Sequence, residues 1–302
     1  MAAETTTTLS NEMSTYYEKV FLKRNKYELV MEEGSQKQTQ SQGEGKALKF
    51  NRYTPLATAT TPLSEGSNPS KVSLTSSTVT ATLAEYGNSV RIGKFLSLTS
   101  VDLNNKEKIS LVGQNMAETI DELARNELEN GTVRLAGGKS AVSDLAASDV
   151  FNYTEIKKIV RTLEGNKAML YDDGFFMGKV QPFTKYDIVS DSAWLNAKTY
   201  SDVKDLYRGE MGELGQVRFS LTKNGKTTAS TTTVYHNYVH GANAFGTYDL
   251  SGDQPKLYIV PNTQIDSNNP TGRFSIVSWA GSYAAKVLVS TWIIVEKAGA
   301  TA

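Results

Sequence analysis

Apolar and polar positions alternate most clearly between residues 46 and 93. The segments KALKFNRYTPL (46–56) and VSLTSSTVTATLAEYGNSVRIG (72–93) read as the two long strands of a hairpin. In the second, Val72, Leu74, Val79, Ala81, Leu83 and Val90 are interleaved with Ser, Thr and Asn, the period of a strand with one wet face. Between the arms, ATATTPLSEGSNPSK (57–71) holds Pro62, Gly66 and Pro69, and Pro55 precedes it; these residues stop strand pairing and mark turns. A two-stranded hairpin of this length is marginal alone in water, so it must pack on its own domain or lie on a neighbour.

Helical periodicity is strongest over residues 107–130, roughly 36 Å of helix at 1.5 Å per residue. Ile109, Val112, Met116, Ile120, Leu123 and Leu128 form one apolar stripe, Glu118, Asp121, Glu122 and Arg125 occupy the opposite face, and Gly131 supplies the stop. Upstream, Met13, Tyr16, Tyr17, Val20 and Phe21 predict an amphipathic helix within 10–30, and GSQKQTQSQGEGK (34–46) has the composition of a flexible linker. Residues 1–45 therefore read as an arm. Downstream, Asn152 and Glu155 have capping-box spacing ahead of Ile156, Ile159, Val160 and Leu163, and Gly165 ends that helix. Asp172-Asp173-Gly174 reads as a turn into the strand FFMGKV, and Pro182 opens a helix through Tyr186 and Val189. Helical pieces are expected around Trp194 and over 203–207, then the strand GQVRFSL, then a polar surface loop, KNGKTTASTTT (223–233), with an Asn-Gly turn. The rest is β-rich: VYHNYVHGANAFGTYDL, KLYIV, RFSIVSW and AAKVLVSTWIIVEK. The fold class is α+β, without an internal repeat.

Composition narrows the options. The 302 residues suffice for a real core, and 32 basic against 32 acidic side chains give the chain no long-range field for a polyanion. Without cysteine there is no disulfide framework and no thiolate metal site, which fits assembly in a reducing cytoplasm. The longest apolar run, 287–295, is strand-length and interrupted by Ser290 and Thr291, and the start MAAETTTTLSNEM lacks the features of a signal peptide. The chain reads as soluble and not exported.

Catalytic parts are few. His236 and His240 lie four apart in a strand-like context, whereas a metal pair at that spacing belongs on a helix face. Gly138-Lys139-Ser140 mimics the end of a phosphate-binding loop, but Val133 stands where the upstream glycine is required. Asp172-Asp173 lacks the alternating oxygen ligands of a calcium loop. No catalytic, cofactor-binding or metal residues are assigned, and no enzymatic activity is expected.

The segments RYTPLATATTPLSEG and EYGNSVRI, with AETTTTLS, ETIDELARNEL, VRTLEGNKA, QPFTKYDIVSD, AWLNA, GEMGELGQVRF, FGTYDL and WAGSYAAKVLVSTWIIVEKA, together resemble a family of tailed-bacteriophage major capsid proteins that includes those of certain podoviruses. The Thr-rich 223–233 loop does not match that family. The resemblance implies the HK97-like capsid fold: an N-terminal arm (1–45), an extended loop (46–93), a peripheral domain (94–150 and 245–302) with its spine helix at 107–130, and an axial domain (151–244). It further implies a virion shell protein assembled in the host bacterial cytoplasm as hexamers and pentamers, which closed heterologous contacts generate. Portal, scaffolding or decoration proteins and non-specifically held DNA would be its further partners, with no membrane. Assembly contacts are expected at Tyr53, Pro55, Leu56, Thr60, Pro62 and Leu63, and spine-helix packing at Ile109, Val112, Met116, Ile120 and Leu123. Two rival readings are an encapsulin-like compartment of the same fold and a β-rich surface module that binds a ligand.

Overall fold

The computed structural model describes residues 29–53, 56–99, 105–191 and 212–301. Nearly all of the expected arm helix, the pieces around Trp194 and 203–207, and Pro55 lie outside them. In chain order the elements are β1 (Gln36–Gln40), β2 (Ala47–Tyr53), β3 (Ser76–Thr82), β4 (Ala84–Gly93), α1 (Lys94–Thr99) and α2 (Asn105–Leu128). There follow β5 (Thr132–Leu135), α3 (Tyr153–Gly165), β6 (Phe176–Val180), α4 (Pro182–Ser190), β7 (Glu213–Leu214) and β8 (Val217–Leu221). The chain ends with β9 (Thr227–Ala229), β10 (Thr233–His240), β11 (Phe245–Leu250), β12 (Lys256–Val260), β13 (Phe274–Val287) and β14 (Ile293–Ala298).

Two sheets organise the body. In the five-stranded sheet the order is β1-β11-β13-β12, with β4 also on β13; α2 lies against it and buries Ile109, Val112, Met116 and Ile120 on Ile92, Val277, Trp279 and Tyr283. Leu123 packs at the margin of that cluster, so the expected stripe faces the sheet. The seven-stranded sheet runs β5-β14-β10-β6-β8-β7, with β9 on β10, and α3 covers it through Ile156, Ile159, Val160 and Leu163. A third cluster joins the sheets, where Ala124 and Leu128 at the end of α2 meet Tyr238, Ile293 and Val295. β5 and β14 come from ranges expected in the peripheral domain, yet they pair in the seven-stranded sheet.

Four local expectations change. The second hairpin strand is two strands: β3 pairs with β2, whereas β4 leaves the hairpin to run antiparallel to β13 over its whole length, from Ala84↔Tyr283 to Gly93↔Phe274. The presumed linker contains β1, which is parallel to β11. Main-chain pairing needs no apolar side chains, so Gln-rich composition does not prevent it. Within the Thr-rich loop, β9 pairs with β10. Finally, Asn152 Oδ1 accepts the Glu155 N–H at 3.1 Å as a helix cap should, but the Glu155 carboxylate turns to Arg134, Lys158 and the Gly137 N–H.

Candidate functional site

The β2–β3 hairpin has a packed root and a bare end. Register from Ala47↔Thr82 to Tyr53↔Ser76 puts Leu48, Phe50 and Ala81 on the body, where they meet Tyr248 and Ala284; the Phe50 and Tyr248 rings lie 4.6 Å apart. Arg52 sits over Trp292, 5.5 Å from the ring centroid, at the rim of a cleft of about 420 Å³ between root and body. Residues 56–75 form no helix or strand, and every one is exposed. Their internal contact is a small turn in which Ser64 O accepts the Ser67 N–H and hydroxyl at 3.0 and 2.8 Å, with Gly66 at φ 82° beside it. Leu56 (55% exposed), Leu63 (62%), Val72 (64%) and Leu74 (63%) all face solvent. A loop of this length without secondary structure is uncommon in a compact domain and is usually either functional or a linker. Tyr53, Thr60 and Pro62 of the expected contact set are likewise exposed.

The sequence did not single out α1. Directly after β4 it presents Phe95, Leu96 and Leu98 to solvent, so the apolar surface continues past the hairpin. Charge is uneven as well. Residues 46–94 carry Lys46, Lys49, Arg52, Lys71, Arg91 and Lys94 against Glu65 and Glu85, so in a balanced chain the remainder is acidic.

The polar face of α2 is not all wet. Asp121 is fully buried; its Oδ1 accepts the N–H groups of Val30 and Met31 at 2.8 and 2.6 Å, and its Oδ2 accepts from the Asn224 side chain at 3.1 Å. Burial pushes this carboxyl up, against those hydrogen bonds. Arg125 donates to Asn224 O at 2.8 Å, which leaves Glu122 as the more exposed member of that face. A residue on the outer face of one helix has become interior because the arm and the 223–226 segment close over it.

Both histidines are buried on β10. His240 Nδ1 meets the Tyr171 hydroxyl at 2.9 Å, and burial pushes its imidazole down to about 3, so it is neutral at ordinary pH. His236 bridges Glu129 Oε1 (2.7 Å) and Thr228 Oγ1 (2.9 Å), a carboxylate–imidazole–hydroxyl chain that superficially suits nucleophilic chemistry. Its imidazole is 1% exposed, both nitrogens are engaged, and Tyr238 also donates to Glu129 at 2.6 Å. The arrangement pins the β9–β10 hairpin to the end of α2. Burial would raise Glu129, but bonding from His236 and Tyr238 takes it down to about 2.

One buried group gives a pH signature. Arg134 is shared between Glu296 and Glu155, at 3.1 Å from each, and Glu296 Oε1 has no partner. Burial pushes the Glu296 carboxyl from 4.5 up to about 7; Arg134 opposes this, and Glu155 reinforces it. Ion-pair geometry alone would favour the charged form, but one guanidinium divided between two carboxylates, with a bare buried oxygen, favours the proton. As pH rises from 4.5 to about 7 the unfolded chain releases this proton first, so the contribution to stability falls across that window and is flat above it. Glu296→Gln is expected to be more stable than the parent by about 1–3 kcal/mol at pH 8 and to lose the advantage at pH 4, as read by urea denaturation. The same difference at both pH values would mean that Glu296 is ionised in the fold.

Among the described residues, no group of three or more His, Asp or Glu side chains could hold a metal ion, and no helix is long and apolar enough to cross a membrane. No family model and no curated protein matches the sequence. Solved structures do match. The capsid of Ralstonia phage GP4 aligns at TM-score 0.70 and 12% identity, covering 90% of this chain and 88% of that one. The capsid of cyanophage P-SCSP1u aligns at TM-score 0.66 and 13% identity, covering 89% and 88%. The capsid of cyanophage Pam1 aligns at TM-score 0.65 and 16% identity, covering 92% of each chain. The fold is the α+β, HK97-like fold of these phage capsid chains, as the resemblance implied.

Proposed function

We propose that this chain is the major shell protein of a tailed bacteriophage, many copies of which enclose the viral genome. The observation that carries the reading is a capsid fold from which an extended hairpin projects a 56–75 tip that its own body does not cover. In this reading the hairpin lies on the next copy. Leu56, Leu63, Val72 and Leu74 supply apolar contact, and the basic 46–94 region meets an acidic surface of an otherwise identical chain. Tyr53, Pro55, Thr60 and Pro62 complete that contact. The spine helix α2 and the five-stranded sheet form the peripheral unit. Residues 151–244, with the β5 and β14 strands added, form the axial unit near the centre of each hexamer or pentamer. Portal, scaffolding or decoration proteins and the packaged DNA are its further partners in the virion, after assembly in the host cytoplasm.

Sedimentation velocity and electron microscopy of the purified full-length chain test the proposal. Closed particles of megadalton mass, weakened by high salt, are the expected result. A monomer that persists at high concentration and low salt would overturn it.

A further inference from the structure

The strongest polar constellation outside the hairpin surrounds the turn at 30–34. Lys179, in β6, is fully buried, and its ammonium pairs with Glu33 Oε2 at 2.9 Å; Ser220, from β8, donates to the same oxygen at 2.8 Å. Three residues earlier, Val30 opens the turn whose amides end on Asp121 of α2. At its other end Gly34 O accepts from the Tyr171 hydroxyl at 2.7 Å. Gly34 has φ 82°, and a Cβ there would stand 2.6 Å from both Met177 Sδ and the Tyr171 hydroxyl and 2.9 Å from His240 Cε1. Only glycine fits. Side chains from α2, β6, β8 and β10, with the 171 loop, thus converge on five consecutive residues of the arm.

The holding is lopsided. Met31 is the one fully buried apolar anchor of the turn, whereas β1, which follows it, is an edge strand with exposed or half-buried side chains up to Gln40. Residues 29–40 therefore depend on polar contacts more than the rest of the body does. Among the described residues Glu33 is the one ion-pair partner of Lys179, and half of its side chain is exposed. Removing the accessible partner leaves a buried cation without its carboxylate, which costs more than the pair contributes. Groups facing this pair are Asp121 on α2, Tyr171 and His240, with Glu32 and Lys37 forming their own pair at 3.2 Å within the arm.

We propose that the turn at 30–34 is a releasable clasp: with Glu33 seated on Lys179 the arm is locked to the junction of α2 and the seven-stranded sheet, and when the buried Lys179 ammonium is left without that carboxylate, residues 29–40 detach as a unit, uncovering the β11 edge and the cation to water while the body stays folded. This does not rest on the shell reading. Burial would raise the Glu33 carboxyl, but Lys179 and Ser220 outweigh it and hold it below its usual 4.5; on the other side of the pair, burial lowers the Lys179 ammonium while Glu33 and Asp121 oppose that shift.

Amide hydrogen exchange on the full-length chain at neutral pH tests the clasp. In Glu33→Gln, amides of residues 30–40 are expected to exchange at least about tenfold faster than in the parent, while those of β4, β13, β10 and β14 stay within about twofold. The double variant E33Q/K179M, which removes the stranded cation, should recover most of the protection. Uniform acceleration throughout the chain would overturn the proposal, because the pair would then support the whole fold. So would unchanged exchange at 30–40, or a double variant as fast as E33Q alone.

Discussion

Replacing residues 57–71 with a short Asn-Gly turn is expected to leave a folded, soluble subunit that melts within a few degrees of the parent and forms no shells. The excised stretch contains Leu63 as its one large apolar side chain, and that side chain is already exposed, so its removal costs the isolated subunit little. The root survives, since Leu48, Phe50, Ala81 and Leu83 keep their contacts with Tyr248 and Ala284. Asn-Gly also closes a tight hairpin well. On a neighbour the balance reverses. Burying a leucine there is worth about 1.5–3 kcal/mol, and a contact of that size recurs with every copy in a closed assembly, where linked weak contacts multiply. Thermal melting and sedimentation must be read together. Intact shells from the shortened chain would remove the hairpin's proposed role, and a collapse in melting temperature would show that the tip packs on its own subunit after all.

Ile120→Asp is expected to give insoluble protein, while Glu118→Lys leaves folding nearly unchanged. Ile120 is buried between α2 and β13 with Met116, Val277 and Tyr283 around it. A carboxylate there loses the burial of the isoleucine, finds no cation, and lies beside the already buried Asp121. The combined cost, on the order of 4–5 kcal/mol or more, is a large part of the stability of an ordinary domain. Glu118 is only partly covered and bonds Gln114 at 2.7 Å, so its reversal should cost about 1 kcal/mol or less. Soluble yield and far-UV circular dichroism distinguish the two variants. Equal losses would contradict the assignment of the helix faces.

What was legible in the sequence followed from local chemistry. The spine helix, the capped helix α3, the Asp172-Asp173-Gly174 turn and the hairpin were marked by periodicity, an Asn cap and turn residues, and they form within a few residues of those signals. Asp121 was misplaced because helical periodicity sorts residues only by type. The donors that bury this one are remote in sequence, Val30 and Met31 upstream and Asn224 downstream. The strand β1 escaped notice because its partner supplies main-chain hydrogen bonds and its own side chains carry little pattern. The break between β3 and β4 has no turn residue to mark it; the Leu83 N–H simply donates to Lys46 O while the next residue joins a different sheet. Of the proposed contact surface, the hairpin was legible and α1 was not, since Phe95, Leu96 and Leu98 have no period that separates a covered face from a bare one.

That change of sheet between Thr82 and Ala84 determines how a load would travel through the subunit. Tension applied at the hairpin tip is carried by the covalent chain from β3 directly into β4, whose ten residues are all registered against β13. The pull runs along the strand, so the ladder is loaded in shear and its bonds share the force instead of opening one after another. β13 in turn lies under α2 and continues to β11. Mechanically the hairpin is a cable anchored on β13, the longest strand among the described residues, so strain on the outstretched end is borne by the body as a whole.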